Sequence, residues 1–173
     1  MTEKSFINGL SNSTSDIIQK LLSLLESNNI NYCLIGGLAV NAYVEPVVSL
    51  DLDIVVASDQ IERIRKLAQK DFRMEEYPYS INLYAQDSDL RIQIQRDPRY
   101  QQFVKNAILG KVLGYEVRVA SLEDVLQGKV WAYSDESRRK SKRQKDLADI
   151  SRIVESYPEF LSTLPDDIKK LVA

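Results

Sequence analysis

The segment from Tyr32 to Val56 constrains the fold more than any other part of the chain. Tyr32-Cys33-Leu34-Ile35 is too short and too apolar to be anything but a buried strand, and Gly36-Gly37 stops it before a helical stretch, Leu38 to Tyr43. Beyond Pro46, the segment Val48 to Val56 alternates: Leu50, Leu52, Ile54 and Val56 point one way, and Ser49, Asp51 and Asp53 the other. Both aspartates therefore share one face of a second strand, with Cα atoms roughly 6.5 to 7 Å apart.

The rest of the pattern surrounds this pair with an α/β frame. Ile17, Ile18, Leu21, Leu22, Leu24 and Leu25 recur at helical spacing between Ser15 and Glu26, and Asn28-Asn29 ends the pattern; Asn8 to Ser15 reads as a polar leader. Ser58 or Asp59 is placed to cap an amphipathic helix that runs through Lys70. Ile81 to Ala85 and Leu90 to Gln95 flank Asp87-Ser88-Asp89 and predict a hairpin whose second arm puts Arg91, Gln93 and Gln95 on its polar face. A helix near Tyr100 to Ile108 and a short hairpin turning at Gly114-Tyr115 lead to a last strand, Glu116 to Ala120. Ser121 and Asp124 resemble a capping box for a helix through Tyr133, and another helix spans about Lys142 to Ser156 with Leu147, Ile150, Ile153 and Val154 inward. The expected division is an α/β part, residues 1–120, and a helical C-terminal segment, 121–173, with the ligand cleft between them.

Composition narrows the chemistry. A chain of 173 residues fits one domain, or one with a small appendage, and 44% hydrophobic with 28% charged residues suits a packed core. With no histidine, Ser-His-Asp and Cys-His nucleophiles and nearly all catalytic zinc sites are excluded. The lone Cys33 is expected to be a small buried hydrophobe. No apolar stretch approaches a membrane span and the N-terminus has no export pattern, so a cytoplasmic protein is expected. Net charge is -2, yet residues 138–145 hold six cations (Arg138, Arg139, Lys140, Lys142, Arg143 and Lys145), which leaves -8 on the remainder and suggests a polyanionic partner.

The aspartate pair can hold hard, oxygen-seeking Mg²⁺, and two glycines at a strand-to-helix turn let backbone amides approach a phosphate chain. Ser49, on the aspartate face, joins them as a nucleotide-binding candidate. Ile35-Gly36-Gly37 followed by Asp51-Leu52-Asp53-Ile54 resembles the signature of the nucleotidyltransferase superfamily that includes DNA polymerase β. Three further runs resemble the C-terminal signature of its AbiEii-type members: Val119 to Asp124, Gly128-Lys129-Val130-Trp131-Ala132, and Lys145-Asp146-Leu147-Ala148-Asp149-Ile150. The resemblance covers roughly residues 32–156 and implies a mixed sheet flanked by helices with a helical C-terminal part.

It also implies Mg-dependent transfer of a nucleoside monophosphate from an NTP to a hydroxyl, often in a toxin-antitoxin or phage-defence setting with a cognate partner. Asp51 and Asp53 would hold the metal, Gly36 and Gly37 the phosphates, and Lys129 the triphosphate, while Lys145, Asp146 and Asp149 would close the pocket. The family's third carboxylate belongs on the strand Leu90 to Gln95, where Gln93 and Gln95 stand instead; Asp97, just beyond, is the remaining acidic candidate. A neutral amide cannot accept the attacking hydroxyl's proton. Two alternatives therefore stay open: a catalytically weak nucleotide-binding or regulatory module, and a nucleic-acid-binding protein using residues 138–145. The acceptor is open among RNA, protein and small molecules. Tyr77, Tyr79 and Tyr100 are either base-stacking or structural, and Trp131 either core or pocket wall.

Overall fold

The computed structural model describes residues 1–173. The chain opens with α1 (Glu3–Leu10) and α2 (Ile17–Ser27), then β1 (Tyr32–Ile35), α3 (Gly36–Val40), β2 (Asp51–Val56) and α4 (Ile61–Ala68). Three strands follow, β3 (Arg73–Tyr77), β4 (Ser80–Tyr84) and β5 (Arg91–Gln95), then α5 (Gln101–Asn106), β6 (Ile108–Val112) and β7 (Tyr115–Val119). The chain finishes with α6 (Leu122–Ser134), α7 (Lys140–Ser156) and α8 (Asp166–Val172).

The strands form one mixed sheet in the order β3-β4-β5-β2-β1-β7-β6. The aspartate strand β2 lies at its centre, antiparallel to β1 with Ile35 opposite Asp53, and parallel to β5 with Asp51 opposite Arg91 and Asp53 opposite Gln93. Central placement explains the apolar alternation: Leu52, Ile54, Val55 and Val56 are buried, while Asp51 and Asp53 occupy the other face at the strand's start. A single apolar core continues from the sheet into the C-terminal helices, through Val125, Leu126 and Val130 of α6 and Ile150, Ile153 and Val154 of α7. Tyr100, Phe103 and Trp131 fasten α5 to α6, the Phe103 and Trp131 rings stacking at 5.8 Å and 8°. Trp131 thus belongs to the packing, and Tyr100 is buried there too, whereas Tyr77 and Tyr79 stay exposed.

Several local expectations change. Residues ahead of Ser15 are no free leader: Thr2 and Ser5 form a capping box for α1, whose Ile7 is buried. Asn12 and Ser13 are stitched to the β4–β5 turn through Asp89 and Ser88, both at 2.6 Å. Neither Ser58 nor Asp59 caps α4 by a side chain; a 3₁₀ turn over Ser58–Gln60 leads into it, and the Ser58 N–H donates to Gln101 Oε1 at 2.9 Å. The aspartate strand begins at Asp51 rather than Val48, because Asn41 holds both the N–H and the carbonyl of Val47 in a loop. Strand β3 gave no sequence signal, since as an edge strand it carries Arg73, Glu75 and Glu76.

Replacing Phe103 by Ala removes the ring that joins α5 to α6. It should cost about 3 to 5 kcal/mol, as measured by equilibrium urea unfolding.

Candidate active site

Gly36 begins the site because nothing larger fits. Its φ is +73°, and a Cβ built on it would lie 2.5 Å from Asp53 Oδ2, so both backbone conformation and space demand glycine. Gly37 has no such requirement: a Cβ there would only touch Asp149 Oδ2 at 3.8 Å. The turn between β1 and α3 is thereby wedged between the aspartate strand and α7.

The two aspartates have opposite environments. Asp53 keeps some exposed area, but its carboxyl is enclosed by neighbouring atoms, and that burial, reinforced by Asp51 and opposed by Lys129, pushes its pKa up to about 6. Burial also acts to raise Asp51, but Lys142 Nζ at 2.8 Å and Arg91 Nη2 at 2.7 Å outweigh it and hold the carboxyl below its ordinary range. Same-face carboxylates would repel one another unless a cation intervenes; here the chain supplies an ammonium from α7 and a guanidinium from β5. Ser49 lies beside them, its Oγ accepting from the Asp51 N–H at 3.1 Å.

Lys129 is buried and donates to Asp146 at 3.0 Å and Asp149 at 2.7 Å. Burial acts to lower its pKa, and the two carboxylates outweigh this and raise it. Asp146 is nearly inaccessible and also accepts from Arg138 Nε at 2.8 Å, while Asp149 accepts from Arg152 at 2.8 Å. Lys145 is exposed on the wall of the adjoining cleft. That cleft, about 290 Å³ in volume, is bordered by Gly37, Val47, Val48 and Ser49, with five cations (Lys129, Arg138, Lys142, Lys145 and Arg152) against Asp146 and Asp149. Its charge balance suits a triphosphate.

The third-acid candidates are separated by the fold. Gln93 stands beside Asp53 in the parallel register. Gln95 turns its Oε1 to the N–H groups of Arg96 and Asp97, each at 3.0 Å. Asp97 caps the 3₁₀ turn at Pro98 and gives both oxygens to Arg99. It does not border the cavities that contain Asp53. No cluster of three or more acidic, cysteine or histidine ligands exists in the chain. Two carboxylates with an amide oxygen nearby are all hard donors, which fits one Mg²⁺-like ion drawing its other ligands from phosphate and water.

Sequence reasoning placed Lys142 in the basic run and Arg91 on the polar face of its strand without pairing either with Asp51, and it did not single out Asn82 or Arg152. Arg91 was in principle accessible, because it alternates with Gln93 and falls opposite Asp51 once β2 and β5 pair in parallel. The basic run is also divided: Arg138 and Lys142 turn to Asp146 and Asp51, and Arg143 Nε donates to the Tyr133 carbonyl at 2.6 Å. Arg139, Lys140 and Lys145 remain on the surface.

A central Asp-x-Asp strand beneath a glycine turn, in a seven-stranded mixed sheet flanked by helices, defines a nucleotidyltransferase fold. Solved structures share it. ANT(2'')-Ia in complex with adenylyl-2''-tobramycin matches with a TM-score of 0.65 and 18% identity over 91% of this chain and 97% of that one. The lincomycin-bound lincosamide antibiotic adenylyltransferase LnuA matches with a TM-score of 0.52 and 16% identity over 82% and 99%. A putative nucleotidyltransferase from Thermotoga maritima, TM1012, matches with a TM-score of 0.52 and 16% identity over 86% and 92%. No curated protein matches the sequence. The family described as "Nucleotidyl transferase AbiEii toxin, Type IV TA system" matches residues 23–173, and the chain belongs to that family of transferases.

With a folded pKa near 6 against an ordinary 3.8, Asp53 favours the folded state fully only below about pH 4, and that contribution is lost as pH rises through 6. Asp53→Asn should therefore raise the Tm of the metal-free protein at pH 7 to 8 and leave it unchanged near pH 4, a pattern read by thermal scans across pH.

Proposed function

We propose that this protein transfers a nucleoside monophosphate from an NTP to a hydroxyl group of an acceptor and releases pyrophosphate, with Mg²⁺ held by Asp51 and Asp53. The observation that carries this reading is Asp53 against the Gly36 turn, with Asp51 on the same strand paired to Lys142, which also lines a cleft whose cations outnumber its carboxylates five to two. Mg²⁺ bound there would neutralise phosphate charge and align the reacting oxygens.

The chain's own groups account for the remaining work. Backbone amides of the Gly36-Gly37 turn receive phosphate oxygens, and Lys145, Arg152 and Lys142 offset the triphosphate charge along α7. Lys129 acts from behind, fixing Asp146 and Asp149 so that the cleft keeps its shape. The acceptor oxygen forms a bond to the α-phosphorus as the bond from that phosphorus to the bridging oxygen of pyrophosphate breaks. The acceptor proton passes to solvent, since Gln93 cannot take it.

A second reading, a nucleotide-binding or regulatory module with weak catalysis, is favoured by Gln93 opposite Asp53. In either case we place the protein in the cytoplasm, as one member of a toxin-antitoxin pair with a cognate partner. The acceptor, whether RNA, protein or small molecule, is left open. A nucleic-acid-binding role for residues 138–145 is disfavoured because Arg138, Lys142 and Arg143 are engaged within the protein.

Calorimetry with each Mg-NTP should detect binding to the parent and none to Asp51→Asn; equal binding to both would remove Asp51 from the site. Gln93→Asp should restore the missing base and speed label transfer into cell extract by about 10²- to 10⁴-fold. A parent already as fast as the variant would dispose of the weak-module reading.

A further inference from the structure

Three cavities adjoin at Arg138, two of them lined by Asp53 and one of those by Asp51 as well. One is the cationic cleft along α7; one is an inner hollow behind Asp53, Gln93 and Gln95; the third is a hollow over Asp51, Asp53, Asn82 and Gln93. Arg138 is the only side chain that borders all three. Lys129 and Lys142 each border two, and Lys145 one.

Arg138 is held at this junction by its surroundings. The loop between α6 and α7 is tightened by Asp135, which accepts from the Ser137 N–H at 3.0 Å and the Ser137 hydroxyl at 2.6 Å, while the Arg138 N–H donates to the Asp135 carbonyl at 3.1 Å. The side chain is then aimed by the buried Asp146, which takes Nε alone and leaves the terminal amino groups for a ligand. Lys142 differs, because its ammonium is already committed to Asp51 at 2.8 Å.

We propose that Arg138 is a catalytic residue that grips the α-phosphoryl group of the nucleotide, an assignment that rests on the nucleotidyl-transfer reading. The triphosphate lies in the cationic cleft and the acceptor must reach the aspartates from another side, so the phosphorus under attack sits where the cavities join. A guanidinium there donates in a planar fork to the non-bridging oxygens, whose charge grows as the acceptor bond forms and the pyrophosphate bond breaks. Lys145 and Arg152, farther along the cleft, face the part of the nucleotide that departs.

The proposal separates Arg138 from those cations by what it touches. Calorimetry is run with each Mg-NTP, with Mg-pyrophosphate, and with the Rp and Sp α-thio forms of the tightest-binding NTP. Arg138→Ala should weaken NTP binding by about 10- to 100-fold, leave pyrophosphate binding unchanged, and erase the parent's preference between the two α-thio diastereomers. Arg138→Lys keeps the charge and the Asp146 pair without the planar fork, so it should bind the NTP with intermediate affinity and an altered diastereomer preference. This variant decides the matter if thermal scans show Arg138→Ala to be unfolded. Loss of pyrophosphate binding in parallel with the NTP, or an unchanged diastereomer preference, overturns the assignment and leaves nucleotidyl transfer standing. A parent that binds neither NTP nor pyrophosphate overturns both.

Discussion

Two pairs of carboxylates, Asp51 and Asp53 on the central strand and Asp146 and Asp149 on a C-terminal helix, border the site, and the structure depends on how their charges are compensated. Gathering that much negative charge in partly buried surroundings is costly unless each group has a partner or is neutralised by protonation. Lys142 and Arg91 serve Asp51; Lys129 and Arg138 serve Asp146; Lys129 and Arg152 serve Asp149. Asp53 has no ion pair and instead has a raised pKa. Because Lys142 is on α7 and Asp51 on β2, this compensation also docks the C-terminal helices against the sheet. Compensation by side chains leaves a site in which a metal-bound nucleotide would exchange one set of cations for another.

The sheet's centre was legible because its residues obey short-range rules. Strand β2 alternates, β1 is a bare apolar run, and the Gly36 turn between them has a steric demand that only glycine meets. The capping of α6 by Ser121 likewise follows from neighbours three residues apart. Elements at the periphery were less visible. Helix α1 buries only Ile7, and β3 is an edge strand built mostly from charged residues, so neither has an apolar period to detect.

In the site, the donors were legible and their partners were not. Asp51 and Asp53 announce themselves by spacing, but the ammonium that pairs with Asp51 lies 91 residues away on another element. From sequence Lys129 was expected at the triphosphate; its pairing with Asp146 and Asp149 was not foreseen, and it borders the cleft. The run at residues 138–145 looked like one patch, whereas Arg138 on the preceding loop and Lys142 and Arg143 on the helix pair with groups of the protein and the others stay in water. The position of Gln93 did follow from pattern, since a polar residue alternating with Ile92 and Ile94 on a strand beside β2 falls opposite Asp53. An amide there cannot accept a proton as a third carboxylate would.

The central claim is that this site moves the α-phosphoryl unit of a nucleotide. Its most direct test is to incubate the purified protein with cell extract and Mg²⁺, using each NTP labelled in parallel at the α- or the γ-phosphate. Nucleotidyl transfer predicts α-label in an acceptor and γ-label only in pyrophosphate, with both products absent for Asp53→Asn. Transfer of γ-label to an acceptor, or α-label incorporation that survives in Asp53→Asn, would contradict the account.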